Sequence, residues 1–550
     1  MIKASDLFVR CLEQEGVEYV FAVPGEENLD LLESLRPSKI KVIVNRHEQC
    51  SAFIAATYGR LTGKPGVCLS TLGPGATNLV TGIAHAHLGG MPMIALTGQK
   101  GIRENVQASF QVLDVVNILR PLTKRAVQIQ GPKSIPKEIR TAFKLATTER
   151  HGVCHIELPE DIAHEQVDEK FSSYHATQMR RPIADQKTIT TAAEMIRAAK
   201  NPLLIVSSRA QRRSVSAAIK QLCSVTGLYA VHTQLGKGVL GDDHPQSLYS
   251  FGLHKKDYVN CVVERADLLI TIGYSVGEHP PSVWNKEMDK KILHIDFTPA
   301  EVDIYYNPTW EIIGDIGQSL TALTQELKGY HNNGIYEKKI KTELTKKLLE
   351  EGANDPAFPL RPRRIVKECR TALGKEDIVC LDNGIYKLWF SRHYPTYNIG
   401  TFLLDNALAT MGAGLPSAMA AKLLYPQKRV LAVCGDGGFM MNSQELETAV
   451  RLGLNVVILI VNDNAYGFIK WKQQTAGFKD FALDYGNPDF VKYAQAYGAV
   501  GYKVEKATDL TPLLEKAFKQ KGPVIIECPI DYSENTKVWG EELGNLLCPL

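Results

Sequence analysis

The sequence lacks the features that define several large classes of protein. No apolar run approaches the ~20 residues of a membrane-spanning helix, and the charged, amphipathic first residues are unlike a signal peptide. No GxGxxG follows a predicted strand, which leaves a nicotinamide-binding fold without support. The scattered cysteines form no CxxC pair and have no zinc-ligand spacing. These absences predict a cytoplasmic protein without a membrane partner, whose cysteines are buried in a reducing compartment.

The charge balance argues against a further group of functions. The 550 residues include 63 Lys and Arg and 60 Asp and Glu, which gives a formal net charge of +3. This small excess gives no electrostatic reason to expect a nucleic acid partner, although a local site for an anionic substrate needs only a few cations. Because a single hydrophobic core rarely exceeds ~300 residues, the length predicts three domains.

The order of apolar segments predicts a parallel sheet covered by helices in each domain, a doubly wound α/β fold. The predicted domains are residues 1–165, 188–328 and 358–550. Helical stretches separate the predicted strands, which are residues 17–23, 40–44, 66–70, 93–97, 202–207, 268–272, 291–295, 378–381, 429–433, 456–461 and 523–527.

Two segments between the predicted domains have other compositions. Residues 164–187 are polar and weakly periodic, which is typical of a linker, and residues 336–351 predict a solvated surface helix rich in Lys and Glu. The first and third domains share a pattern, since the segments that begin at Gly66 and Arg429 both contain a strand, a glycine loop, a helix and a strand. This pattern indicates that the two domains are related.

The sharpest motif is CGDGG at residues 434–438, between an apolar strand and a helix. Gly437 and Gly438 let backbone N–H groups approach a phosphate, and the start of the helix favours negative charge. Asp436 adds an oxygen ligand suited to Mg²⁺. Asp463 ends the next predicted strand and therefore returns to the same edge of the sheet, where ligands of such sheets bind. The motif predicts a site for Mg²⁺ and a diphosphate.

This arrangement resembles the thiamine diphosphate signature of the superfamily that contains acetolactate synthase, pyruvate decarboxylase and pyruvate oxidase. The resemblance implies that Asp436 and Asp463 ligate Mg²⁺, that the carbonyl of Ala465 is a third ligand, and that Tyr466 lies at the cofactor. Asparagine is commoner at the second position in the superfamily. Asp463 is instead similar to the catabolic acetolactate synthases.

In the predicted first domain, RHEQ at residues 46–49 directly follows the strand at 40–44. Glu48 resembles the superfamily's activating glutamate. A carboxyl group bonded to N1′ of the aminopyrimidine favours the imino tautomer, which removes the C2 proton of the thiazolium ring. A partly buried glutamate suits this role, because desolvation helps a carboxyl group to share a proton. The resemblance implies that Glu48 both binds and activates the cofactor.

Residues 405–416 resemble the family segment that meets the aminopyrimidine ring. By this resemblance Met411 wedges the two rings apart, the carbonyl of Ala409 meets the aminopyrimidine, and Asn406 helps to hold the diphosphate. Ordinary core packing is the alternative for Met411. The first domain then binds the pyrimidine and the third binds the diphosphate.

Other stretches resemble the FAD-independent, catabolic acetolactate synthases over nearly the whole chain. The resemblance implies that Gln111 contacts the active site and that Lys124 attracts the carboxylate of pyruvate, with a surface lysine as the alternative. Residues 273–278 and 295–308 are similar to the central domain of the catabolic enzymes. Residues 207–210 replace the glycine-rich stretch of flavin-binding relatives, so FAD is not expected.

The expected reaction decarboxylates pyruvate and joins the remaining two-carbon unit to a second pyruvate, which gives 2-acetolactate and CO₂. A pyruvate oxidase, another 2-oxoacid decarboxylase and a non-catalytic binding protein are the alternatives, and intact Glu48 and Asp436 disfavour the last. The resemblance also implies a homodimer or homotetramer with active sites between subunits. The preferred acceptor, the pathway and the regulation stay open.

Overall fold

The computed structural model describes residues 1–103, 106–107, 109–172, 176, 180–253 and 257–542. The chain divides into two compact units. The first consists of Met1–Arg180, Ala407–Gln427 and Met440–Leu454, and the second consists of Arg181–Asn406, Lys428–Phe439 and Asn455–Leu550.

A parallel sheet and its covering helices form most of the first unit. The strands are β1 (Ile2–Lys3), β2 (Tyr19–Ala22), β3 (Lys41–Val44), β4 (Gly66–Ser70), β5 (Met93–Gln99), β6 (Arg125–Gln128), β7 (Val153–Pro159) and β8 (Gln166–Val167). The helices are α1 (Ala4–Gln14), α2 (Leu29–Leu35), α3 (Glu48–Thr62), α4 (Gly73–Asn78), α5 (Val80–Leu88), α6 (Val115–Leu119), α7 (Ile135–Thr147) and α8 (Glu160–His164).

The six parallel strands of this sheet lie in the order β3-β2-β4-β5-β7-β6. Buried apolar side chains fill both faces, as expected where helices cover a parallel sheet. The prediction of a linker at 164–187 is wrong at its start, because β8 pairs antiparallel with β1 and Val167 is buried. A two-residue strand is too short to produce a periodic pattern in the sequence.

The second unit begins with a six-stranded sheet from the middle of the chain. Its strands are β9 (Pro202–Val206), β10 (Tyr229–His232), β11 (Ser247–Ser250), β12 (Leu268–Ile272), β13 (Lys291–Asp296) and β14 (Trp310–Ile313). Its helices are α9 (Gln186–Ala198), α10 (Arg213–Thr226), α11 (Asn260–Arg265), α12 (Ile316–Glu326) and α13 (Ile335–Thr345).

A third sheet is built from the last part of the chain. Its strands are β15 (Ile378–Leu381), β16 (Phe402–Leu403), β17 (Val430–Gly435), β18 (Val457–Asn462), β19 (Val500–Lys503) and β20 (Val524–Pro529). The helices from this part are α14 (Pro362–Ala372), α15 (Ile385–His393), α16 (Gly414–Leu424), α17 (Asp436–Met441), α18 (Glu445–Arg451), α19 (Gly467–Thr475), α20 (Phe490–Ala496) and α21 (Leu510–Ala517). Of these, α16 and α18 belong to the first unit.

The strand orders support a relation between the first and third sheets. The third sheet has the order β16-β15-β17-β18-β20-β19, which repeats the order of the first sheet when strands are counted along the chain. The middle sheet has a different order, β11-β10-β9-β12-β13-β14. The predicted α/β class with three parallel sheets is therefore confirmed.

One surface prediction needs correction. The charged stretch at 336–351 forms α13 and a following turn, but Ile340 and Leu344 are fully buried against the middle sheet's core. Lys and Glu on the opposite side hid this apolar stripe in the composition. Among the described residues, no helix is long and apolar enough to cross a bilayer.

Candidate functional site

The predicted metal ligands lie at the carboxyl ends of two neighbouring parallel strands. β17 pairs with β18 so that Gly435 lies opposite Val461. Asp436 follows β17 directly as the first residue of α17, and Asp463 follows β18. The structure therefore brings these two carboxylates to one edge of the sheet, as the sequence predicted.

The electrostatics of this carboxylate pair suit a cation. Burial raises the pKa of Asp436 above its ordinary value. Burial, together with the negative charge of Asp436, raises the pKa of Asp463 to about 7. Two carboxylates in this setting repel each other when both are ionised, and a divalent cation would remove that cost. The donor set therefore fits Mg²⁺, a cation that prefers oxygen ligands.

Asn487 is a site residue that sequence analysis missed. Its Nδ2 atom donates to Oδ2 of Asp436 at 2.7 Å and to Oδ1 of Asn464 at 3.0 Å. It orients the Asp436 carboxylate from a position 51 residues further along the chain. No local pattern connects the two residues, so this contact could not be predicted from the sequence.

The turn after β18 contains the backbone carbonyl of Ala465, which is the predicted third metal ligand. The carbonyl of Ala465 accepts a hydrogen bond from the amide of Gly467 at 2.9 Å, which leaves a second lone pair for another partner. No group of three His, Cys, Asp or Glu side chains in the described part of the chain could hold a metal ion.

Close approach explains the glycine at the start of α17. A Cβ atom at Gly437 would lie 2.9 Å from the ring of Tyr466 and 2.7 Å from the hydroxyl of Tyr485. The buried residue Gly438 follows and faces Asp382, whose carboxylate would lie 3.1 Å from an added Cβ. The glycines at these two positions therefore allow the side chains of Tyr466, Tyr485 and Asp382 to lie close to the backbone at the start of α17.

Asn406 contacts residues of its own unit. Its Nδ2 atom donates to the carbonyl of Glu278 at 3.0 Å, and its Oδ1 atom accepts from the ammonium of Lys387 at 3.2 Å. Burial lowers the pKa of Lys387 to about 8, although the charges of Asp405 and Asp382 oppose that shift. Lys387, a buried amine beside Asn406, was not predicted from the sequence.

In the first unit, Glu48 is the first residue of α3 and is buried. His47 caps the helix, since its Nδ1 atom accepts from the amide of Gln49 at 3.1 Å. Oε2 of Glu48 accepts from Nδ2 of Asn78 at 3.0 Å, and a Cβ atom at Gly75 would lie 3.2 Å from Oε1. Asn78 was missed, although it lies in the glycine-rich segment after β4.

Backbone conformation singles out three positions at the predicted site. Among the described residues, six other than glycine have positive φ angles, and they include Gln111 at 61°, Ala409 at 57° and Asn464 at 54°. Such angles are costly for these residues and concentrate at functional sites. Gln111 and Glu48 both approach the start of α4. A Cβ atom at Gly73 would lie 2.5 Å from the carbonyl oxygen of Gln111, and one at Gly75 would lie 3.2 Å from Oε1 of Glu48.

The segment of Ala409 and Met411 belongs to the same unit as Glu48. Met411 is partly exposed, unlike an ordinary core residue. The carbonyl of the next residue, Gly412, accepts from Nδ2 of Asn442 at 2.8 Å. Helix α16 then packs on α3, with Thr57 donating to Ser417 at 3.0 Å.

Lys124 lies on the opposite side of the first sheet from Glu48, since β6 and β3 are the two outermost strands. It precedes β6, and its amide bonds the carbonyl of Val153 at the start of β7, whereas Glu48 follows the end of β3. Its ammonium donates to the carbonyls of Thr148 and Arg150 at 2.7 and 2.8 Å. Burial lowers its pKa. The structure therefore does not bring Lys124 together with Glu48 and Gln111.

Comparison with known proteins identifies the family to which this chain belongs. Three family models match, namely the N-terminal thiamine pyrophosphate binding domain at residues 2–118, the central domain at 189–323 and the C-terminal binding domain at 382–528. An acetolactate synthase from Bacillus subtilis is 35% identical over 98% of this chain and 95% of its own length. The chain belongs to the thiamine diphosphate-dependent acetolactate synthase family.

Other members of the family match as completely. A catabolic acetolactate synthase from Raoultella terrigena is 34% identical over 98% of this chain and 96% of its own length. A probable acetolactate synthase large subunit from Methanococcus aeolicus is 31% identical over 99% and 95%. Family membership confirms the predicted resemblance, the enzyme class and thiamine diphosphate as the cofactor.

Proposed function

We propose that the protein is an acetolactate synthase that converts two molecules of pyruvate to 2-acetolactate and CO₂. The observation that carries this proposal is the nearly full-length match to relatives named acetolactate synthase. The polar groups expected for such a reaction are present at two sheet edges, one around Glu48 and one around Asp436 and Asp463. We propose that these two groups bind the two ends of the cofactor.

Bound thiamine diphosphate supplies a carbon nucleophile that adds to 2-oxoacids. Glu48 holds a proton at N1′ of the aminopyrimidine, and Asn78 fixes the carboxyl group for that task through its bond to Oε2. Ala409, which has a left-handed backbone, would offer its carbonyl to the aminopyrimidine, and Met411 would pack against the cofactor's rings. Gln111, whose carbonyl lies beside Gly73, would contact the active site.

At the other end, Asp436, Asp463 and the carbonyl of Ala465 would hold Mg²⁺, which would neutralise the charge of the diphosphate. The amides of Gly437 and Gly438 at the start of α17 bind phosphate oxygens. Tyr466 packs beside Gly437 and limits the space next to the backbone of this loop. Asn406 and Lys387 provide a polar contact and a positive charge for the same diphosphate. Lys124 is left out of this site because its ammonium is used by backbone carbonyls.

The central domain supports a reaction that does not require FAD. Arg209 follows β9 at the position of the glycine-rich flavin stretch and is nearly buried. Its guanidinium pairs with Asp296 at 2.9 Å and with Glu301 at 3.1 Å. These ion pairs occupy the sheet edge where a dinucleotide would approach. We therefore propose thiamine diphosphate and Mg²⁺ as the full cofactor set.

We propose that the active assembly is a homodimer or a homotetramer with active sites between subunits. Glu48 and Asp436 belong to different compact units of the chain. In the family the aminopyrimidine end and the diphosphate end of one cofactor are held by different subunits. Each chain then contributes Glu48 to one site and Asp436 to the other.

Product analysis tests the proposed function. Purified protein is incubated with pyruvate, Mg²⁺ and thiamine diphosphate, without added FAD, and the products are identified by NMR. We expect 2-acetolactate. Free acetaldehyde would favour a decarboxylase, and a requirement for FAD would favour an oxidase. Glu48→Gln is the matched control, since it keeps the size of the side chain, should bind the cofactor, and should lose most activity because an amide cannot share a proton as a carboxyl group does.

A further inference from the structure

Glu445 makes an unusually complete set of contacts with the chain just before Glu48. It is the first residue of α18 and is fully buried. Its Oε1 atom accepts from the amides of Arg46 at 2.8 Å and His47 at 3.1 Å. Its Oε2 atom accepts from Nδ2 of Asn45 at 3.1 Å. These residues all belong to the first compact unit.

Helix α18 also contacts residues 44–47 through its last residue. Arg451, the last residue of α18, donates to the carbonyl of Val44 at 2.5 Å. Asn45 in turn accepts a hydrogen bond at Oδ1 from Ser51 in α3, at 3.1 Å. Residues 44–47 are therefore bonded to α18 on one side and to α3 on the other, immediately before the residue that we assign to cofactor activation.

We propose that Glu445 is a positioning residue that fixes residues 45–47 and thereby sets the direction of the Glu48 carboxyl group. This inference rests on the proposed function, in which Glu48 meets the aminopyrimidine. Displacing a catalytic group by about 1 Å costs on the order of 100-fold in rate. A residue that determines where α3 begins therefore affects catalysis without contacting substrate or cofactor.

The number of donors explains why a carboxylate is required at this position. An ionised carboxylate only accepts hydrogen bonds, and Glu445 receives a fourth from the hydroxyl of Thr448 at 2.6 Å. Glutamine would still accept from the amides of Arg46 and His47 through its oxygen. Its NH₂ group would instead face the donors of Asn45 and Thr448. Glu445→Gln should therefore have a smaller effect than Glu445→Ala, which removes every acceptor.

Hydrogen exchange of the cofactor-free protein tests the structural half of the inference. The amides of Arg46 and His47 should exchange at least about 10-fold faster in Glu445→Ala than in the unmodified protein, because their acceptor is gone. Glu445→Gln should stay closer to the unmodified protein. Unchanged exchange of the peptide that covers residues 44–50 in Glu445→Ala would overturn the proposal.

Glu368 provides a matched control. It is also a buried glutamate that bonds the start of a helix, because it accepts from the amide of Thr511 at 3.2 Å and from the hydroxyl of the same residue. Glu368→Ala should loosen the start of α21 and leave the exchange of residues 44–50 unchanged. If Glu368→Ala accelerates exchange at 44–50 as much as Glu445→Ala does, the effect is general destabilisation and the proposal fails.

The functional half is tested with the holoenzyme and Mg²⁺ by the exchange of the C2 proton of bound thiamine diphosphate, followed by NMR after an acid quench. Glu445→Ala should slow this exchange by about 10- to 100-fold, with cofactor affinity in calorimetry changed much less. Glu368→Ala should not slow it. Unmodified protein that binds no cofactor would refute the proposed function itself. Unmodified protein with fast exchange, together with equally fast exchange in Glu445→Ala, would refute only the positioning role.

Discussion

Asn78 donates a hydrogen bond from Nδ2 to Oε2 of the buried Glu48, over 3.0 Å. This bond fixes the rotation of the carboxyl group that we assign to the aminopyrimidine. We expect Asn78→Ala to lower turnover by about 10- to 100-fold, as the loss of a supporting contact at an active site does. Steady-state kinetics and a thermal unfolding curve measure the two effects. Thr77→Ala, on the exposed neighbour in the same helix, should behave like the unmodified protein. Equal turnover in both variants would exclude this role of Asn78.

Asp436 should control cofactor affinity through the metal. In Asp436→Ala the diphosphate loses the metal ion that bridges it to the protein, so we expect calorimetry with Mg²⁺ to show thiamine diphosphate binding that is weaker by on the order of 100-fold or more. The exposed Asp289 in the central sheet's domain supplies a control, since Asp289→Ala removes the same charge. If Asp436→Ala binds the cofactor as tightly as Asp289→Ala does, the ligand assignment is wrong.

Metal binding should depend on pH around neutrality. Burial and the charge of Asp436 raise the pKa of Asp463 to about 7, so the metal-free folded state holds a proton that the unfolded state has already released. The stability of the metal-free protein should therefore fall as the pH rises from about 4 to about 7. Mg²⁺ needs the ionised carboxylate, so its affinity should rise over the upper part of this range and binding should release protons.

Calorimetry in buffers with different ionisation enthalpies measures that proton release. We expect release near pH 6 and much less near pH 8, values that lie about one unit on either side of the raised pKa. In Asp463→Asn the release should disappear, because the amide does not titrate. Equal proton release at both pH values would contradict the assignment of Asp463 as a buried metal ligand.

Local patterns in the sequence were enough to predict that two carboxylates lie at one sheet edge, and to predict much of the fold. Asp436 and Asp463 each end an apolar segment, and neighbouring parallel strands bring such ends together without further information. The strand predicted at 66–70 matches β4, because five buried residues in a row leave little ambiguity about its ends. Glu48 is instead predicted from the family resemblance of the RHEQ stretch after β3, and its role stays a prediction.

The contacts that orient these groups could not be predicted in this way. Asn487 contacts Asp436 from a part of the chain that is far away in sequence. Glu445 contacts residues 45–47 from a part that is also far away in sequence. Only tertiary packing selects one asparagine or glutamate from many. Lys124 differs, because a motif match predicts a substrate contact, whereas in the described structure its ammonium donates to two backbone carbonyls. Sequence patterns therefore predict which residues lie at strand ends better than they predict the distant side chains that contact them.

Shared active sites can be tested by complementation. Glu48→Gln and Asp436→Ala are each expected to be inactive, and the two are mixed, unfolded and refolded together. If one chain provides Glu48 and its partner provides Asp436, some mixed dimers contain one site with both changes and one with neither, so activity should return. Each variant refolded alone is the control. No recovery, with mixed dimers demonstrated by mass, would reject sites between subunits.

The carbon balance of the reaction tests the central claim most directly. Labelled pyruvate is supplied to the holoenzyme with Mg²⁺ and thiamine diphosphate, and the released CO₂ and the remaining products are counted by NMR. The proposed reaction predicts one CO₂ for every two pyruvate molecules consumed, with the other carbons recovered in 2-acetolactate. One CO₂ for every pyruvate, with the two-carbon product free in solution, would contradict the assignment of the protein as an acetolactate synthase.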